Sequence, residues 1–401
     1  MKKNHVPFSR LSGPFVLVFL LMVLVSSCSK QDTNSPSSTT TPDDPVVTNI
    51  PKTPGSIPIP PDNPQTDAKA ELGRHLFFDK TLSVDGKESC AGCHQVSYGF
   101  SDIFPTSLGM NGQRGTRNAP ALANVAYNTI FTWDGRFKSL EEHAPGPIFN
   151  SVEMGNNFST TARDTVPNGY NSGPGPNDTN FLFKRLNNRG IDKVGKAYAD
   201  LFIAAWGSSE IGPKGVSLDH IAKSIAAFER TIISTQSDFD RYNNGEYTVF
   251  TGTKEGQQAL RGMKLFMDAN GANCISCHSG YNFTDQQFHD NGIGINSSTN
   301  DQGRFNISKK DADIGKFKTP SLRNIALSAP YMHDGRFASL QEVVNSYNLG
   351  GKNPTSNTDA RVRKLNLSDQ DVADIVAFLK TLTDNNLASN KSNKFSNPWL
   401  N

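Results

Sequence analysis

Two five-residue runs, CAGCH at 90–94 and CISCH at 274–278, constrain this chain more than anything else in it. Together they use four of the five cysteines in 401 residues. C-x-x-C-H is the attachment signature of c-type haem. The two thiols form thioethers to the vinyl groups, and the adjacent His is thereby fixed beneath the iron. Two other readings compete. A redox dithiol belongs in a thioredoxin-like βαβ context, which the flanking sequence lacks. A zinc site needs two pairs close together, whereas these lie 184 positions apart and each has its own His.

The flanks repeat as well. LGRHLFFD (72–79) precedes the first run and RGMKLFMD (261–268) the second, so that Gly73, Leu76, Phe77 and Asp79 match Gly262, Leu265, Phe266 and Asp268. Downstream, NAPALANVA (118–126) matches KTPSLRNIA (318–326), and WDGRFKSLEE (133–142) matches HDGRFASLQE (333–342), both at an offset of 200. Two copies of one haem-binding unit, each carrying one covalent haem c, is the simplest account. SLDHIAKSIAAFERTIIS (217–234) puts Ile221, Ile225, Phe228 and Ile232 on one helical stripe. LSDQDVADIVAFLKTLT (367–383) offers Ser368 as an N-cap and Val372, Ile375, Val376 and Leu379 at helical spacing. Strand-like alternation is scarce. The expected fold is mainly α: two cytochrome c-like haem domains related by duplication, 67–250 and 251–388, with long loops and a tail at 389–401.

The N-terminus reads as an address. MKKNHVPFSR is basic, and FVLVFLLMVLV (15–25) is an apolar run of 11, too short to span a bilayer. It ends VSSC, which resembles a lipobox, so residues 1–28 read as a lipoprotein signal with Cys28 as the lipidated residue. Residues 29–66 are rich in Ser, Thr and Pro and read as a linker. The expectation is a periplasmic or cell-surface lipoprotein tethered to a bacterial membrane, the outer one on this reading of the signal. With net charge +2, 19% charged residues and no Lys/Arg cluster, nucleic acid is not an expected partner. No thiol is left for a structural disulfide.

CAGCH, PTSLGMNGQRGTRNAPAL, FTWDGRF, GPIFNSVEM, CISCH and FKTPSLRNIALSAPYMHDGRF together resemble the bacterial di-haem cytochrome c peroxidase and MauG superfamily, over about residues 67–385. The resemblance implies that the haem held by Cys90, Cys93 and His94 meets H2O2. It implies that the haem held by Cys274, Cys277 and His278 stores and relays electrons or holes. Trp133 falls at the family's interhaem Trp, and Glu153, 20 residues on, at its distal acid/base. A calcium between the haems would take Asn118 through its side chain and Ser328 and Pro330 through their carbonyls. The implied partners are H2O2 with a small cytochrome or cupredoxin donor, or a protein substrate. Read alone, Trp133 would be a packed core residue and Glu153 a surface charge.

Two departures stand out. The family's peroxidases often place a His on the first iron from the loop after CAGCH; here that position is Met110, and no His occurs between 95 and 142. Met110 is a weak axial ligand, or the site is open. His143 stands where a distal Gln is usual, and could assist Glu153, hydrogen-bond the ferryl oxygen, ligate iron or serve as a structural hydrogen-bonding group. At the second haem, the usual axial Met is replaced by Tyr347, as in MauG, with Met332 the competing ligand. Phenolate is a hard anionic donor that favours ferric iron. His333 then lies near the interhaem region. His289 is expected at a haem propionate, His75 and His220 in structural roles. Three functions follow for testing: a peroxidase, a MauG-like oxidase of a partner protein, and a non-enzymatic electron carrier.

Overall fold

The computed structural model describes residues 48–156, 186, 188–190, 192, 195–214, 216–295, 299–390 and 394–400. The expected signal with Cys28, and the linker up to residue 47, lie outside the described residues. From 48 to 66 the chain forms no helix or strand, yet it lies against the folded body. Ile50 is buried in the second core, and Asn63 donates to Glu141 and to the carbonyl of Lys223.

Each half is built on two crossed helices. In the first, Thr66 caps the Asp67–Phe78 helix by accepting from Lys69 N–H, and Ser217 with His220 forms a capping box on the Leu218–Glu229 helix. Leu72, Leu76 and Phe77 pack against Ile221, Ile225 and Phe228. The second half repeats this with Lys254–Met267, capped by Thr253, and Asp369–Lys380, capped by Ser368 and Asp371. Leu260, Met263 and Phe266 pack there against Val372, Ile375 and Phe378. The repeated glycines mark both crossings. A Cβ at Gly73 would sit 1.9 Å from the carbonyl oxygen of Ser224, and one at Gly262 1.8 Å from that of Asp374. Only a hydrogen at those positions lets the helices approach so closely. The first long helix ends at Glu229 rather than running to Ser234. A Thr-Ile-Ile run follows, and the Thr231 hydroxyl turns back onto the Phe228 carbonyl at 2.7 Å, so Ile232 is buried from the segment after the helix.

The other repeated motifs are structural as well. Asn124 and Asn324 both adopt positive φ (60°), and each clasps the chain leaving its half's last helix: Asn124 N–H donates to Ile232 O (2.8 Å), Asn324 N–H to Leu382 O (2.9 Å). Ser139 and Ser339 cap the Leu140–His143 and Leu340–Asn348 helices by accepting from Glu142 and Glu342 N–H. Among the described residues the sheet content is one antiparallel pair, Phe288–His289 with Phe317–Lys318.

Packing crosses the boundaries expected at 250/251 and 388/389. Phe239, Tyr242 and Phe250 belong to the second core, because the capping box of Ser237 and Asp240 starts a helix that packs there. Leu387 and Phe395 return to the first core, where Phe395 meets the rings of Phe100 and Phe228. Trp399 Nε1–H donates to the His75 carbonyl (3.0 Å), so the 394–400 segment closes one side of the first half. His75 and His220 take the structural roles expected of them. His75 is buried against Asp192 at 2.7 Å, and His220 Nδ1 accepts from Ser217 N–H. Among the described residues no helix is long and apolar enough to cross a membrane.

Candidate functional site

Both C-x-x-C-H runs form single tight turns, with His94 N–H bonded to Cys90 O and His278 N–H to Cys274 O, each at 2.9 Å. The imidazoles are oriented alike. His94 Nδ1–H donates to Phe100 O (3.0 Å), and His278 Nδ1–H to Phe283 O (2.9 Å). Those acceptors sit at matched positive-φ residues, Phe100 at 61° and Phe283 at 53°. Fixing Nδ1 on a carbonyl leaves Nε2 as the ligating nitrogen, as in metal-bound histidines. All four cysteines are free of disulfides. Burial pushes the Cys93 and Cys274 thiols up to about 12. Such thiols are poor thiolates, which speaks against the reactive dithiol reading. The residues present fit two covalent haems.

A cavity of about 280 Å³ runs from the second turn to the junction of the halves, lined among others by Cys274, Cys277, His278, Tyr347, Trp133 and His143. The junction is reciprocal. Asn118 N–H donates to His333 O (2.7 Å), and Lys318 N–H donates to Trp133 O (2.8 Å). These are the same pair of positions, offset by 200, read in both directions. A Cβ at Gly135 would run into Phe288 of the second half, and one at Gly335 into Pro105 of the first. Arg117 binds Asp134 (2.6 Å) and, through two nitrogens, Asp301 (2.6 and 2.8 Å), which ties the halves further. Trp133 Nε1–H donates to Asn118 O (2.9 Å), and its ring meets His333 edge-on at 6.5 Å. His333 is stacked on Phe317 at 3.6 Å, and burial holds it down to about 4, so it is neutral near pH 7.

Around the first turn lie Glu153, His143 and Met110. Burial raises the Glu153 carboxyl above its ordinary value, with Arg136 opposing. Asn150 Nδ2–H donates to its Oε1 (2.7 Å), which fixes the carboxyl and leaves the other oxygen. Burial, and next the His94 ring, hold His143 down to about 4. His143 also packs on Phe137 at 5.3 Å. Met110 is buried; its N–H donates to Val152 O (2.8 Å) and its methyl lies against Gly155. The MNGQRG loop is thus pinned beside Glu153.

Tyr347 faces the cavity near the second turn, its hydroxyl pushed up to about 12 by burial. Asn291 Nδ2–H donates to the Tyr347 hydroxyl (3.2 Å) and lies 3.6 Å from Met332 Sδ, so both axial candidates flank one amide. His289 is held between Asp285 (2.9 Å) and Asp359 (2.8 Å), with Arg361 beside it. Asn118, Ser328 and Pro330 all line the cavity. Sequence reasoning missed Asn291, Lys318 and the Arg117–Asp301 tie. Lys318 was legible as the partner of Asn118 at the 200 offset; Asn291 and Asp301 carry no repeated signal.

Two crossed-helix units, each with a haem-binding turn, joined through reciprocal bonds around one Trp, define a di-haem c-type cytochrome. The di-haem cytochrome c peroxidase family model matches residues 67–248, and the cytochrome c model matches 259–383. Relatives include the methylamine utilization protein MauG of Methylorubrum extorquens, 37% identical over 82% of this chain and 82% of its own. Cytochrome c551 peroxidase of Pseudomonas aeruginosa is 34% identical over 80% of both chains. Among solved structures, a MauG-like protein associated with microbial copper homeostasis superposes with a TM-score of 0.72, at 31% identity, over 89% of this chain and 99% of that one. The chain belongs to the di-haem cytochrome c peroxidase and MauG family, whose members are oxidoreductases carrying two haem c groups.

Proposed function

We propose that this chain is a peroxidase that reduces H2O2 to water at the haem held by His94, with electrons arriving through the haem held by His278. One observation carries the reading: a buried carboxyl, Glu153, lies by the first turn, while the residue by the second is Tyr347, which would serve as a ligand to the iron held there. The haems supply the electron transfer and the binding of peroxide oxygen. Glu153 does the proton work. Its raised proton affinity lets one oxygen take a proton from the near peroxide oxygen and return it to the far one, while Asn150 holds the other. His143 stays neutral and is a hydrogen-bonding partner in the same pocket. Met110 is turned onto Gly155, which supports an open first iron.

Trp133 links the centres. Its indole N–H is given to a backbone carbonyl, which is too weak a base to take the proton, so an oxidised ring passes its hole on rather than trapping it as a neutral radical. Calcium is proposed at Asn118, Ser328 and Pro330: the Asn118 amide nitrogen is held by Phe104 O (3.1 Å), which turns Oδ1 away as a donor oxygen. The donor is a small cytochrome or cupredoxin, and the protein is exported and tethered through Cys28, in the periplasm or at the cell surface.

Tyr347 and the likeness to MauG favour a second reading, oxidation of a partner protein's side chains. Steady-state turnover of H2O2 with a reduced small cytochrome separates the two. Turnover supports the peroxidase; none, with a peroxide-oxidised state that persists, supports the oxidase. A chain whose spectra do not respond to peroxide at all is an electron carrier, and both readings fail.

A further inference from the structure

Four Lys/Arg side chains line the cavity beside the second turn: Arg363 is exposed to solvent and reaches the Gly271 carbonyl (3.5 Å), and two of the other three are matched within the protein. Arg323 is paired with Asp240 (2.7 Å) and Arg361 with Asp359 (2.8 Å). Lys318 is different. It is 7% exposed, and its ammonium has one partner, the Thr319 carbonyl at 3.1 Å. No carboxylate among the described residues lies within ion-pair distance of it. The nearest acid that influences it, Asp285, is already bound to His289 and to Gln287 N–H. An ammonium carries three donors, and a buried one without an anion is costly. Its place is also particular: Lys318 N–H is the group that holds the Trp133 carbonyl.

Resting on the di-haem reading above, we propose that the Lys318 ammonium pairs with a propionate of the haem held by His278, making Lys318 the positioning residue between the interhaem indole and the second haem. A fixed cation at that edge favours the ferrous state, and so offsets the anionic pull of a tyrosinate ligand. In the first half the matched residue is the neutral Asn118, so the haem held by His94 lacks this cation. The two potentials are thereby set apart by one residue of a repeated motif.

The test is a spectroelectrochemical titration of the full di-haem protein, wild type against Lys318→Met and Lys318→Arg, following the low-spin haem. K318M is expected to lower its midpoint by at least the one-electron equivalent of a tenfold change, about 59 mV. K318R should recover most of the loss, and the first haem should not move. Lys318→Gln gives the same readout should K318M not load haem. An unchanged midpoint with the low-spin signal intact overturns the proposal. If the wild type itself shows fewer than two thioether-linked haems, it is the di-haem reading that has failed.

Discussion

At the helix crossings the halves are alike to the atom: Gly73 faces the carbonyl of Ser224, and Gly262 faces that of Asp374. Five residues past each contact they part. The first half buries Glu229 where the second buries Leu379. The same happens along the other repeated motifs, where Asn118 answers to Lys318 and Trp133 to His333. Duplication preserved the positions that glycine, capping serine and left-handed asparagine require. The groups turned toward the irons and the junction were free to diverge, and they diverged in charge and in basicity. The scaffold is symmetric because packing demands it; the chemistry proposed above is asymmetric, with one centre taking the oxidant and the other not.

The largest effect expected on that contrast comes from Glu153→Gln. It should lower peroxide turnover by about 10²–10⁴-fold while the second centre's spectrum stays unchanged. A loss below tenfold in steady-state assays would move the proton work to His143. Next come Gly73→Ala and Gly262→Ala. Each drives a methyl into a carbonyl and should destabilise by about 1–3 kcal/mol, read by urea melts at a haem absorbance. G73A should disturb the first haem and G262A the second. Equal disturbance of both would show that the halves unfold as one unit.

A third effect, spread over pH, concerns Glu229. It is buried beside Glu141 and Arg230, and burial pushes it up to about 8 from an ordinary 4.5. The folded chain therefore holds a proton that the unfolded chain releases between those values. Stability should fall as pH rises through that window, by at most about 1.4 kcal/mol per unit. Glu229→Gln should flatten this slope, which thermal melts from pH 5 to 8 would show. An unaltered slope assigns it to another group.

Much of this was legible in the sequence because duplication prints every structural requirement twice. The two haem turns, the crossing glycines, the DGRF loops and Ser368 as a cap were all readable from matched residues. What was not readable has one physical source. Reciprocity across the junction, the orphan charge on Lys318 and the return of Phe395 onto Phe100 depend on how the halves face each other, and no local pattern encodes that. The end of the helix at Glu229 was missed because the apolar period runs on to Ile232 although the backbone does not.

The central claim is one oxidant-accepting iron and one saturated iron in a single chain. Electron paramagnetic resonance of the purified ferric protein, wild type beside Tyr347→Phe and before and after stoichiometric H2O2, tests it most directly. The account predicts one high-spin and one low-spin haem, with peroxide consuming the high-spin signal and Y347F altering only the low-spin one. Two low-spin haems inert to peroxide, or a low-spin signal untouched by Y347F, would contradict it.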